Sequence, residues 1–151
     1  MNIAIGCDEA AFEMKEAIKA LLSKEHTVID MGAYDTNPVI YPDIAVSVAR
    51  EISAGNARRG ILMCGTGIGM AVSANKVPGI RAAVCHDAFS TERSRKSNDA
   101  QIMCMGARVI GVKMAEYLVA LWLQCDFEGG GSTEKVERIR EYEKMYLREL
   151  G

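Results

Sequence analysis

Aromatic side chains are scarce, at 6% of the chain with a single tryptophan, and proline occurs at three positions. Histidine occurs twice, at His26 and His86. No segment stays apolar long enough to cross a bilayer, so no membrane span is expected. A basic excess is also lacking. The formal net charge is −2, with no stripe of lysine and arginine, which removes the electrostatic footprint of nucleic-acid binding. No Cys-x-x-Cys pair exists among the five cysteines, Cys7, Cys64, Cys85, Cys104 and Cys125. An odd number of isolated thiols in apolar surroundings argues against a disulfide frame or a structural zinc, and for a reducing cytoplasm. The chain opens directly on an apolar strand, Asn2-Ile3-Ala4-Ile5-Gly6, so no leader peptide is expected.

What remains is rich in Ala, Ile, Val, Met and Gly, as in close-packed α/β layers. At 151 residues there is room for one domain with a real core, and residues 1–151 are read as one unit. Strands are expected at Ile3-Gly6, Thr27-Met31, Gly60-Cys64, Arg81-Cys85 and Gln101-Met105. Helices are expected at Phe12-Leu22, Pro42-Ser53, Met70-Asn75, Ala88-Lys96 and Val112-Cys125. The strands are short and apolar without alternation, as when both faces are covered. This pattern predicts a three-layer αβα, Rossmann-like, doubly wound parallel sheet of five strands. Gly129-Gly130-Gly131 reads as a hinge before a terminal helix (132–148). Ser132 is its expected cap, and its charged face is expected to lie in solvent or on a partner subunit.

The most informative stretch is Cys64-Gly65-Thr66-Gly67-Ile68-Gly69. It follows the buried run Gly60-Ile61-Leu62-Met63 and precedes a helix start. Gly-x-Gly-x-Gly lets the backbone turn sharply and present bare N–H groups. A thiol beside such a nest favours a thiolate and sits next to an anion site. That combination suits proton abstraction beside a carbonyl, with the nest holding the oxyanion. The loop is not a phosphatase-type cysteine loop, because Met70 stands where that chemistry needs arginine. Its glycine spacing also does not match a dinucleotide loop. In a doubly wound fold, ligands bind outside the carboxyl ends of the strands. Asp8, Cys64, His86 and Arg108 are therefore expected along one edge.

These residues resemble the ribose-5-phosphate isomerase B / galactose-6-phosphate isomerase family. The likeness runs nearly end to end. It rests on Ile3-Ala4-Ile5-Gly6-Cys7-Asp8, Tyr41-Pro42-Asp43, Cys64 to Gly69, Ala74 to Ala82, Asn98-Asp99-Ala100 and Gly106 to Gly111. The resemblance implies an aldose–ketose isomerase of a small phosphorylated sugar, with no cofactor and no metal. It implies a homodimer, or a dimer of dimers, whose active sites are shared between subunits. It also implies Cys64 as the base, with Thr66 orienting the sugar oxygens or relaying protons. The N–H groups of Gly65, Gly67, Ile68 and Gly69 would hold the enediolate. Asp8, Tyr41 and Asn98 would meet sugar hydroxyls, and Arg108 the phosphate.

Four positions depart from the family pattern. Glu9 replaces a histidine after the first-strand aspartate. Ser97 replaces the histidine that the resemblance assigns to opening the sugar ring. Gly131 replaces a phosphate-binding arginine, and Lys135 stands where another is expected. A tetrose 4-phosphate carries its phosphate on O4 and cannot close a five-membered ring, so it needs no ring-opening histidine. Its phosphate also lies closer to C1. The segment from His86 to Gln101 further resembles a branch of the family associated with erythrulose 4-phosphate. Glu9 and His86 remain open between substrate contact and structural roles. Two alternatives to a ribose 5-phosphate isomerase stand: a tetrose-phosphate isomerase, and a non-catalytic sugar-phosphate-binding subunit.

Overall fold

Parallel pairing organises the chain, and the computed structural model describes residues 1–151. Strand β1 (Asn2–Cys7) leads through a 3-10 turn (Glu9–Ala11) into helix α1 (Phe12–Leu22). Then follow β2 (Thr27–Asp30), α2 (Tyr41–Ser53), β3 (Arg59–Cys64) and α3 (Ile68–Ala74). The second half comprises β4 (Ala82–Val84), α4 (Ala88–Lys96), β5 (Ile102–Gly106), α5 (Val112–Leu123) and α6 (Thr133–Leu150). The sheet order is β2-β1-β3-β5-β4, and every paired neighbour is parallel. This is the expected five-stranded, three-layer α/β architecture.

Alternation along each strand builds two cores. Ile3, Ile5, Ile61, Met63, Met103 and Met105 face α1 and α5, where Trp122 is fully buried. Ala4, Leu62, Cys64, Ile102 and Cys104 face α2 and α3. Each fully buried Ile, Leu or Met side chain contributes roughly 1.5–3 kcal/mol, so the central strands are held on both faces. At the foot of the sheet, the buried Arg59 donates to the Trp122 and Cys125 carbonyls and pairs with Asp126 at 2.7 Å. It satisfies the open carbonyl end of α5.

The expected segments match with shifts at their ends. Helix α3 starts at Ile68, two residues before the expected Met70, because Gly67 adopts a left-handed turn (φ 79°) that launches it. Strand β4 is shorter than Arg81-Cys85. Ser132 is not a side-chain cap: its backbone is already helical, and no cap hydrogen bond forms. The preceding 3-10 turn (Gly130–Ser132) runs straight into α6, so no extended cap residue is needed there. Val136 anchors α6, the Gly79 N–H donates to Glu143, and Arg140 approaches Asp99. Ile139, Tyr142, Met145, Tyr146 and Leu150 stay exposed along the helix.

Candidate active site

Four strand ends stand side by side at the carboxyl edge, since β1, β3, β5 and β4 are consecutive neighbours. Asp8, Cys64, Arg108 and His86 follow or end these strands and share that edge. The chain leaves β1 toward β2 and returns on the other side of β1 at β3, so the crevice between β1 and β3 is the switch point. Asp8 and Cys64 flank it.

Cys64 is 6% exposed, and the Gly67 N–H donates to its Sγ at 3.0 Å. A fixed N–H donor stabilises negative charge on the sulfur. Gly67 is required here twice over. Its φ is positive, and a Cβ would meet the Met105 backbone at 2.9–3.1 Å. Thr66 is exposed, and its Oγ1 accepts the Ile68 N–H at 3.2 Å, leaving the hydroxyl proton free for a ligand. Of the four expected nest donors, the Gly67 and Ile68 N–H groups are thus already taken by Cys64 Sγ and Thr66 Oγ1, whereas those of Gly65 and Gly69, together with that of Thr66, have no acceptor within the chain. These donors are open to an anion. Tyr41, the first residue of α2, lays its ring against Gly69. A Cβ there would fall 2.5–2.6 Å from the ring and hydroxyl. Only glycine allows the Tyr41 hydroxyl this close to the nest.

Around this centre lie two charges of opposite sign. Arg108 Nη1 lies over Gly65, 3.3 Å from where a Cβ would be. The Asp8 carboxyl accepts the Ala10 and Ala11 N–H groups. Burial and the neighbouring Glu9 charge push its pKa up, against the pull of those N–H groups and of Arg108. Glu9 does not point free into the crevice; its Oε2 accepts the Val39 N–H at 3.2 Å. His86 Nε2 accepts the Gly106 N–H at 2.8 Å, which places the ring proton on Nδ1. Burial lowers the pKa of this imidazole, which favours the neutral ring. Its Nε2 is thereby committed to the β5 end that supports the nest.

Two expected site residues lie elsewhere. Asn98 follows α4 and precedes β5, and its carbonyl accepts from Arg81 Nε at 3.2 Å beside the start of β4. Both belong to the amino edge. A strand of five or six residues spans roughly 17–20 Å, so Asn98 and Cys64 of one chain do not meet over one small sugar. Lys135, in the first turn of α6, is exposed. Its helix contacts Gly79 and Asp99, both on the amino side. Arg93 and Arg95 do not replace the missing cations. Arg95 is buried against Asp99 and the Ala100 carbonyl, and Arg93 sits between Glu92 and Glu128.

One ion pair that shapes the site was not expected from the sequence. Lys15 is fully buried and bonds both Asp30 oxygens at 2.9 Å and the Ala33 carbonyl at 2.5 Å. It pins the start of the 31–40 segment. Burial alone would raise the Asp30 carboxyl, but hydrogen bonds from Lys15 and Lys19 bring it below the usual carboxylate range. The spacing of Lys15 with Ile18 and Leu22 on the buried stripe of α1 was the available signal. Asn75 is also structural: it exchanges two hydrogen bonds with the Ala82 backbone and ties α3 to β4.

A family model described as Ribose/Galactose Isomerase matches residues 3–139. The chain belongs to that family. Membership makes it a sugar-phosphate isomerase. It is 51% identical over 146 residues to a D-erythrulose-4-phosphate isomerase of Pectobacterium atrosepticum, covering 95% of both chains. It is also 51% identical over 145 residues to Ribose-5-P isomerase B of Listeria innocua, covering 95% of this chain and 98% of that one. Among solved structures, ribose-5-phosphate isomerase B of Clostridium thermocellum superposes with a TM-score of 0.95 at 43% identity. That match covers 97% of this chain and 99% of the other. The family that the residues resemble is thus the one found, and no helix is long and apolar enough to cross a membrane.

Proposed function

We propose that this chain interconverts an aldose phosphate and its ketose phosphate through a cis-enediolate, with Cys64 as the base. The Cys64 thiolate takes the C2 proton of the open-chain aldose. The C2–H electron pair forms the C1=C2 bond, and the C1 carbonyl electrons move onto O1. The O2 proton passes to O1, with the Thr66 hydroxyl placed to relay it. The same thiol then returns its proton to C1, leaving the carbonyl at C2. Atoms and charge balance without an oxidant. Free N–H groups of the nest hold the developing oxyanion, an effect worth about 3–4 kcal/mol per donor in comparable sites. Asp8 and Tyr41 bind hydroxyls, and Arg108 draws the phosphate. The observation that carries this reading is the Cys64 sulfur held by the Gly67 N–H beside three unpaired donors.

The active form is a homodimer, alone or as a dimer of dimers. Asn98 and Lys135 stand on the amino edge, and a second copy can bring its amino edge to the first copy's Cys64. The exposed apolar stripe of α6 supplies a surface for that copy to cover. The cytoplasm suits five unpaired cysteines.

Two substrates remain within this chemistry. Ribose 5-phosphate and ribulose 5-phosphate are what the broader family name suggests. Ser97, in place of a ring-opening histidine, favours a tetrose 4-phosphate, the erythrulose 4-phosphate/erythrose 4-phosphate pair. The test is to incubate the protein with four-, five- and six-carbon aldose phosphates in deuterated water and follow label at C2. Exchange is expected, fastest with the tetrose. Much faster turnover of ribose 5-phosphate would remove the tetrose reading. No exchange on any substrate would leave a sugar-phosphate-binding subunit.

A further inference from the structure

The segment between β2 and α2 is fixed at both ends. At its start, Lys15 binds the Ala33 carbonyl, the Ala33 N–H donates to the Cys7 carbonyl, and the Tyr34 hydroxyl donates to the Asp30 carbonyl. Beyond Tyr34, residues 35–38 bond only among themselves, Asp35 accepting from the Asn37 backbone and side chain. The next tie to the body of the protein is the Glu9 carboxylate, which accepts the Val39 N–H across 30 positions of sequence. Ile40 follows and precedes α2, and Tyr41 then rests on Gly69. Only Ile40 therefore separates the residue that Glu9 anchors from the aromatic residue beside the nest.

From this geometry we infer that Glu9 is a positioning residue: its carboxylate latches residues 35–40 against the end of β1 and thereby holds Tyr41 over the glycine nest. The inference rests on the proposed isomerase reading for its effect on substrate, but not for the latch itself. A carboxylate accepting a backbone N–H makes a strong bond of defined direction. A neutral amide oxygen in the same place keeps the acceptor and loses the charge. Glu9 is only partly buried, and this is its carboxylate's one hydrogen bond in the chain; the Val39 side chain packs against the core, so loss of the bond releases the Val39 backbone without emptying the core. The same carboxylate presents a negative charge beside Asp8. The alternative, that it acts on the substrate directly through its charge, gives a different pattern in the variants.

The test compares Glu9→Ala, Glu9→Gln and Glu9→Asp by amide hydrogen exchange without substrate and by steady-state kinetics on the best aldose phosphate. In Glu9→Ala, the Val39 amide should exchange about tenfold faster, and KM should rise about tenfold with kcat changed less than about threefold. Glu9→Gln should recover most of both losses. Glu9→Asp is one methylene too short to reach Val39 and should behave like Glu9→Ala; it serves as the second probe if the alanine variant folds poorly. Adding Tyr41→Phe to Glu9→Ala should raise KM no further, because the ring is already displaced. Unchanged Val39 exchange in both Glu9→Ala and Glu9→Asp would overturn the latch. Equal KM rises in Glu9→Ala and Glu9→Gln would overturn positioning in favour of direct charge. If no aldose phosphate is turned over, the isomerase reading fails, while the exchange data still decide the latch.

Discussion

At the carboxyl edge, side chains from three strand ends and from the start of α2 are each held within one chain. Cys64 is held by Gly67, His86 by Gly106, Asp8 by the turn it caps, and Tyr41 by contact with Gly69. The amino edge is different. Asn98 and Lys135 are exposed there and face nothing of their own chain that they were expected to serve. On the proposed reading, the first edge carries the proton-transfer groups. The second holds groups whose expected work lies about a strand's length away. On that reading a single chain would have the chemistry but not the whole grip on substrate, and a second copy would supply the rest.

The largest effect that would sharpen this contrast comes from the sulfur. Cys64→Ala should lower C2 exchange at least roughly a thousandfold, within the range for a positioned base, with the far-ultraviolet circular dichroism unchanged. Residual exchange near the native rate would mean another base. Next is the α6 surface. Tyr142→Glu combined with Tyr146→Glu should give a folded monomer by sedimentation and reduce activity about a hundredfold, because charge replaces an exposed apolar stripe that a second copy would cover. A fully active monomer would break the division between the edges.

A smaller change is expected from Gly69→Ala. The added methyl must displace the Tyr41 ring, so KM should rise about tenfold with thermal stability little altered. An unaltered KM would remove Tyr41 from the binding surface. Smallest is a pH effect. The His86 pKa is lowered in the folded chain from its usual value near 6.5. The folded state therefore prefers the neutral ring. Its stabilising effect is fully present above about pH 6.5 and is lost as pH falls through the lower folded value. Protonating Nε2 removes the acceptor for the Gly106 N–H beneath the nest. Activity should show an acid limb below about pH 6.5, and His86→Gln should flatten it.

Much of the carboxyl edge was legible in the sequence. Short unalternating apolar runs mark buried parallel strands, and Cys64 with three glycines after one of them marks a thiol in a nest. The strand order was not legible from the residues alone, since similar apolar runs do not say which neighbour they pair with. The separation of Asn98 from Cys64 was readable in principle: a residue just before a strand lies on the amino edge of a parallel sheet. The role expected of Asn98 comes from family resemblance, and resemblance does not say which subunit supplies a residue. Glu9 was open between substrate and structure because its partner, Val39, lies 30 residues away and donates through the backbone. No side-chain pattern announces such a bond. Ser132 looked like a cap by residue type, yet the 3-10 turn before α6 already has helical backbone at that position.

On the proposed reading the two edges serve one site across two copies of the chain. Mixing tests it directly. Cys64→Ala and a double Asn98→Ala/Lys135→Ala variant are each prepared, unfolded together in equal amounts and refolded. If sites are shared, mixed dimers hold one site with both defects and one with neither, so activity should recover to about a quarter of native. Activity no higher than the average of the two separate variants would contradict the claim.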